Sequence, residues 1–364
     1  MANKRVLIRP VSIAVVIACA VIGAYVGYWL SLTAELRNQT QRWVEARQAE
    51  GYTVTHGAMR RRGFPLEARI EIDVPSIVDA GATPRWAWGS GRAQVSIPLF
   101  SPSELIIRIE GDQALAVGGT GASREYVGRA DQMRIQLEPA GWLPNGRITV
   151  RNLVMDARTG TDGFAIQQLE GWAAGNPEVP SQEGEPVFRV TLSLAGVRPS
   201  AALALPLART VERAIIEAEL TGSLAPAPWP DALMAWRDAG GTIELNTVAM
   251  VYGPLDVVGA GTVALDNDVQ PMGAMAARMR GFNETVAALS AADIISAQMA
   301  QTFHSILGML SRSGQPGPNP EVTIPFSLQN RVLSAGPIPL VKIPHLRWST
   351  ENSVHLHMED EPNT

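Results

Sequence analysis

The chain has 364 residues, room for one large domain or two of ordinary size. Charged residues make up only 18% of it and the net charge is −5 with no long basic run, which argues against nucleic acid as a partner. A single cysteine, Cys19, excludes disulfides, thiolate metal sites and a cysteine nucleophile from everything that follows it.

Residues 1–10 carry Lys4, Arg5 and Arg9, after which no charged side chain occurs from Val11 to Ala34. At ~1.5 Å per residue that run covers a hydrocarbon core of ~30 Å. Basic residues before it, with Glu35 and Arg37 behind, predict a cytoplasmic N-terminus and an exported remainder. Tyr25, Tyr28 and Trp29 fall near the outer end, where amphipathic rings favour the interface. The expectation is a retained single-pass anchor over 11–34 in the inner (cytoplasmic) membrane, with the C-terminal domain in the periplasm. A cleaved signal peptide ending at Ala18-Cys19-Ala20 and a lipoprotein acylated on Cys19 are the alternatives. The apolar run continues past Cys19 to Leu32, which neither of them requires.

Residues 35–50 read as a membrane-proximal helix, with Leu36, Trp43, Val44 and Arg47 on one side and Gly51 as its stop. Beyond it, 51–358 forms a β-rich exported domain and 359–364 a flexible tail. The basic triplet Arg60-Arg61-Arg62 before Gly63-Phe64-Pro65 is read as a solvated turn, with contact to phosphate or a lipid headgroup as its functional alternative. Strict alternation then marks one-sided strands: Ala68, Ile70, Ile72 and Val74; Ala93, Val95, Ile97 and Leu99; Leu105, Ile107 and Ile109. Met133, Ile135 and Leu137 continue the series, as do Phe188, Val190, Leu192 and Leu194. The 33 glycines and 26 prolines cluster between these runs, and 173–186 is a flexible loop and candidate subdomain break. Two stretches, Gly146–Met155 and Gly241–Met250, share the pattern G-x-I-x-[VL]-x-x-[LV]-x-M, which suggests a sheet grown by similar strands.

Helices are few. Pro230 to Ala239 predicts a short one. Residues 283–312 predict the main helical segment, capped by Asn283 and divided near Ser290. The ambiguous run 203–224 is assigned to a strand from Val211 onward.

Chemistry is sparse. His355 and His357 would share one strand face but lack a third ligand, and His304 sits in the predicted helix. Asp266-Asn267-Asp268 fits a hairpin turn better than a calcium loop, and Gly89-Ser90-Gly91 reads as a turn. The tryptophans read as packing. No nucleophile elbow, phosphate loop, dinucleotide fingerprint or metalloprotease motif occurs. No catalytic residue, cofactor or metal is expected.

The segment Trp43 to Tyr52 (W-x-E-A-R-x-x-E-G-Y) and the R-G-F-P of Arg62 to Pro65 resemble the bacterial envelope family catalogued as domain of unknown function 2125. So do Gly261–Asp266, a Pro271 turn, Arg280–Phe282, V-T-I-P-F and Gly336–Leu340 before Pro344. That resemblance spans nearly the whole exported chain and implies no catalytic residues. The carboxyl-terminal layout is also similar, in architecture, to AsmA-like envelope proteins, whose long curved sheets are associated with lipids.

The fold class expected is therefore α+β, mostly β: an extended, twisted antiparallel sheet with a few packed helices, plus one N-terminal transmembrane helix. A one-sided sheet with so few helices has more dry face than they can cover. The expected function is non-enzymatic binding or transfer of lipid acyl chains in envelope homeostasis, with Ile70, Ile72, Val95, Ile97, Ile107 and Ile109 as groove candidates. The alternative is a structural scaffold or assembly partner of an envelope protein complex; a periplasmic hydrolase is the third reading. The partners expected are the inner membrane, and lipid or envelope proteins.

Overall fold

The computed structural model describes residues 8–79, 86–118, 124–139, 144–175, 186–201, 206–225, 227, 229–311, 321–336 and 338–346. It opens with a single helix, α1 (Ile8–Ala49), of 42 residues. The segments 11–34 and 35–50, expected as anchor and membrane-proximal helix, are thus one rod of about 63 Å. The rod stops at Gly51, whose φ of 89° favours glycine. Its inner stripe is Thr33, Leu36 and Val44, all buried. Trp43, expected on that stripe, is exposed one position away from it.

The strands follow in pairs of short and runs of long. β1 (Tyr52–Thr55) and β2 (Met59–Arg62) lie end to end, as do β3 (Glu67–Asp73) and β4 (Ser76–Asp79). Both members of the second pair hydrogen-bond to β5 (Trp86–Pro98), which pairs in turn with β6 (Leu105–Val117). β7 (Arg124–Arg129) and β8 (Gln132–Glu138) form one broken strand between β6 and β9 (Asn145–Ala157). Then come β10 (Gly163–Gly175), β11 (Pro186–Arg198) and β12 (Val211–Thr221), the helix α2 (Trp229–Asp238), and β13 (Ile243–Tyr252), β14 (Leu255–Leu265) and β15 (Pro271–Arg280). Two helices, α3 (Phe282–Ala291) and α4 (Ala297–Ser311), precede β16 (Val322–Gln329), β17 (Val332–Ala335) and β18 (Ile338–Lys342).

Every strand from β9 onward pairs antiparallel with the next, and the broken strands keep the same order before it. The eighteen strands among the described residues therefore make one sheet, a meander in chain order. β10 and β11 pair directly on either side of 176–185.

The helices agree with the sequence in position and differ in detail. The long helical segment divides at 292–296. Its first helix begins at Phe282, capped by Gly281 in the left-handed region (φ 68°) with no side-chain cap, so Asn283 lies inside the first turn. Arg60, Arg61 and Arg62 belong to strand β2, not a turn.

Three small buried clusters hold the helices to the sheet. Leu36 of α1 packs on Ile70, Ile72 and Ala93. Ala232 and Trp236 of α2 pack with Leu224 against Leu220, Ile243 and Leu265. Phe282 and Val286 of α3 and Ala300 of α4 close on Val322, Met279 and Ile324. The Trp236 indole N–H donates to the Thr221 carbonyl at 2.8 Å, which satisfies a polar atom inside the second cluster.

Candidate functional site

Directly opposed residues of antiparallel strands share a face. Following opposed pairs across the sheet, one row runs from Ile70 through Val95, Ile107, Ile135 and Ile148 to Gly171. The same row continues through Leu192, Ile216, Val248, Gly259 and Ala277 to Ile324. Twelve strands contribute to it and none contributes a polar side chain. A second row, one pleat nearer the β5–β6 turn, reads Leu105, Leu137, Gly146, Ala173, Val190, Ala218 and Leu245, and then Gly261, Met275, Phe326, Ala335 and Ile338. At ~4.8 Å per strand, the first row is roughly 50 Å long.

The opposite face is polar. Glu217 opposes Thr247, Glu244 opposes Thr262, and Arg189 opposes Glu219. The Arg189 guanidinium donates to the Glu219 carboxylate at 2.7 Å and, with a hydrogen bond from Asn246, holds that carboxyl below its ordinary value.

Helices cover the two ends of the apolar face, and α2 covers its rim on β12, β13 and β14 through Leu220, Ile243 and Leu265. α1 lies over β1 and β3, and α3 and α4 lie against β14 and β16. Between them Ile148, Val190 and Ile216 are exposed, and Ile135, Leu192 and Val248 half-buried. None of the three buried clusters reaches this middle stretch.

The groove candidates divide accordingly. Ile70 and Ile72 are buried under Leu36, and Val95 and Ile97 pack against the same cluster. Those four belong to the contact between α1 and the sheet. Ile107 and Ile109 lie farther along the face and are half-buried. The larger open stretch is centred on Ile148, Leu192 and Ile216, outside the six candidates; its one signal in the sequence is the alternation of Val190, Leu192 and Leu194.

A line of backbone irregularities crosses the first strands at right angles. It passes between β1 and β2, through Val74 (φ 45°), the register shift between Ser90 and Arg92, Gly111 (φ 83°), the break between β7 and β8, and Asn152 (φ 48°). Side chains bind it together. Arg129 donates to Asp112 at 2.6 Å, and the Asn152 amide donates to Asp131 at 2.7 Å. Such kinks change which residues of a strand face inward. On β9 the buried positions pass from Val150 to Met155, an odd step. The shared motif records this. Its three-residue step, Val150 to Leu153 and Leu245 to Val248, falls on Asn152 in one copy and on a register shift of β13 in the other.

Along this line a trough of about 710 Å³ opens, lined by Val74, Ser76, Gly89, Ala114, Val127 and Asp156 among others. Ser76, Gly89, Ala114, Val127 and Asp156 are opposed pairs, so they share the face away from Ile77, Trp88, Leu115 and Tyr126. Beyond it Asp162 accepts hydrogen bonds from the N–H groups of Ala201 and Gly163, both at 2.8 Å. The Ala201 contact is the chief reason its carboxyl lies below the ordinary value, with Gly163, Arg124 and Tyr126 assisting.

His56 hydrogen-bonds the carbonyl of Gly57, and Asp266 accepts from the N–H groups of Asp268 and Gln270 in the β14–β15 turn. Among the described residues no three His, Cys, Asp or Glu side chains converge as metal ligands would. The side chain of His304 and all of His355, His357, Trp142, Trp348 and 359–364 lie outside the described residues.

One family matches the chain, described as "Uncharacterized protein conserved in bacteria (DUF2125)", over residues 29–344. The chain belongs to that family. The DUF2125 match begins at Trp29, in the C-terminal part of the apolar run, and takes in every strand of the sheet. No curated protein and no solved structure matches the chain.

Proposed function

We propose that this DUF2125 member is an inner-membrane protein whose retained anchor, α1, holds the sheet in the periplasm, where its open apolar face binds or passes lipid acyl chains without catalysis. The observation that carries this reading is the pair of uninterrupted apolar rows, left uncovered around Ile148, Val190 and Ile216 between α1, α2 and the α3–α4 pair. An apolar surface of that extent is costly in water and demands an occupant. One leaflet of hydrocarbon is ~15 Å thick, so the row is several times longer than an acyl chain needs. Retention of α1 is supported by its continuity. Residues 15–22 are exposed apolar side chains, and the same helix carries Leu36 and Val44 into the domain core.

A photo-crosslinking amino acid in place of Ile216, with Ser193 of the polar face as control, tests the reading in the full chain within cells. Lipid adducts at 216 and not at 193 are expected. Crosslinks at 216 to a protein alone would instead favour a scaffold in an envelope complex. That second reading draws on β18, which among the described residues pairs with β17 alone and has Leu340 and Val341 exposed, where another chain could add a strand.

A further inference from the structure

We infer that the sheet is seated in the membrane surface by a second, non-helical attachment: the Arg62–Leu66 turn and the loop after β5 enter the outer leaflet beside α1. The inference rests on the reading of α1 as a retained anchor and is independent of acyl-chain binding by the sheet.

Along α1, only the residues between Arg9 and Glu35 can occupy hydrocarbon without burying a charge. A ~30 Å core takes about 20 of them, so it runs from about 10–29 at one limit to about 15–34 at the other. Tyr25 lies inside it in every register, about 6 to 14 Å below the outer boundary for an upright helix. Yet the Tyr25 hydroxyl donates to the carbonyl of Pro65, and the Trp29 indole N–H donates to the carbonyl of Glu67 at 2.7 Å. The Phe64 ring stacks edge-on to Trp29 with centroids 5.5 Å apart and tilts against Tyr25 at 6.3 Å. Whatever depth α1 adopts, this turn is carried in with it. The two donated hydrogen bonds meet what the bilayer requires, since a turn carbonyl in hydrocarbon has no water to bind.

The exposed side chains fit that medium. Phe64 is 54% exposed and Leu66 66%. The Leu99 N–H donates to the Leu66 carbonyl at 3.1 Å, which brings the neighbouring loop alongside with Phe100, 79% exposed, at its tip. Immediately above, on the strand descending into the turn, Arg61 and Arg62 are exposed and have no ion-pair partner among the described residues, whereas Arg60 binds Asp73 at 2.7 Å. Apolar tips below two uncommitted guanidinium groups match the order of acyl chain and phosphate in a leaflet.

The test uses the full chain in nanodiscs of phosphatidylcholine and phosphatidylglycerol containing nitroxide lipids, with a bimane label on one cysteine. The native Cys19 reports the anchor. In a Cys19→Ala background, Ser101→Cys reports the proposed seat and Thr159→Cys the far end of the sheet. Expected are quenching at 19 by deep nitroxides, quenching at 101 by shallow ones, and none at 159. Adding Phe100→Ser, or Arg61→Glu with Arg62→Glu, should weaken quenching at 101 at least twofold. An unquenched Cys19 overturns the anchor and the seat together. A quenched Cys19 beside a water-exposed, unquenched 101 overturns the seat alone.

Discussion

Ile70 and Ile216 stand in one row of the same sheet face, and replacing each by alanine measures what lies over that face. Ile70 is 0% exposed beneath Leu36, and Ile216 is 41% exposed with no helix above it. Removing three carbons costs about 2.4 kcal/mol in transfer at ~0.8 kcal/mol per group. At Ile70 the residual cavity under α1 raises this to about 3–4 kcal/mol. At Ile216 much of the surface is already wet and no closed cavity forms, so about 1 kcal/mol is expected. Native-state hydrogen exchange of the full chain in lipid nanodiscs reads both values locally. Amide protection on β3 and β5 should fall by roughly 150- to 900-fold in Ile70→Ala, and on β11 to β13 by roughly fivefold in Ile216→Ala. Costs equal within about 0.5 kcal/mol would refute the reasoning, because the middle of the face would then be covered as firmly as its end.

Three other changes probe separate parts. Gly281→Ala places a Cβ 1.7 Å from the Pro254 carbonyl oxygen at a residue with φ 68°, so exchange protection of α3 should drop by the equivalent of about 2 kcal/mol or more. Trp236→Phe leaves the Thr221 carbonyl without its donor and should lower the urea midpoint by the equivalent of about 1–3 kcal/mol; an unchanged midpoint would remove that bond from the account. The folded carboxyl of Asp162 titrates below its unfolded counterpart. Its contribution is therefore complete above the ordinary carboxylate value and is lost as pH falls through the lower, folded one. Wild type should be more stable than Asp162→Asn at pH 7, with the difference shrinking toward pH 3; a constant difference would contradict this.

Much of the fold was legible because alternation is a direct consequence of the pleat. Ile70 with Ile72, Val95 with Ile97 and Ile107 with Ile109 all lie in strands, and Val211 does begin one. Single-residue kinks were not legible. Val74 continues the alternation of β3 on paper, yet it sits at φ 45° and ends that strand, because one residue out of period leaves the pattern intact on either side. Conversely, the odd step inside the shared motif was visible and has its physical cause in the kinks at Asn152 and in β13. Alternation also identifies a dry face without saying what lies on it. That α1 folds back over Ile70 and Ile72, while Ile216 stays open, depends on where a 42-residue rod comes to rest. Helix ends were misjudged for a related reason: Gly281 caps α3 through its backbone, so the side chain of Asn283 was a misleading signal.

Consecutive pairing bears on how such a molecule is made. Each strand finds its neighbour among residues that precede it immediately in the chain, so loop-closure costs stay small and no early strand waits for a distant partner. A chain that emerges N-terminus first can lay such a sheet down in the order of synthesis. Apart from the fixed first edge at β1 and β2, the newest strand then presents the one moving edge open to mispairing until β18 is in place.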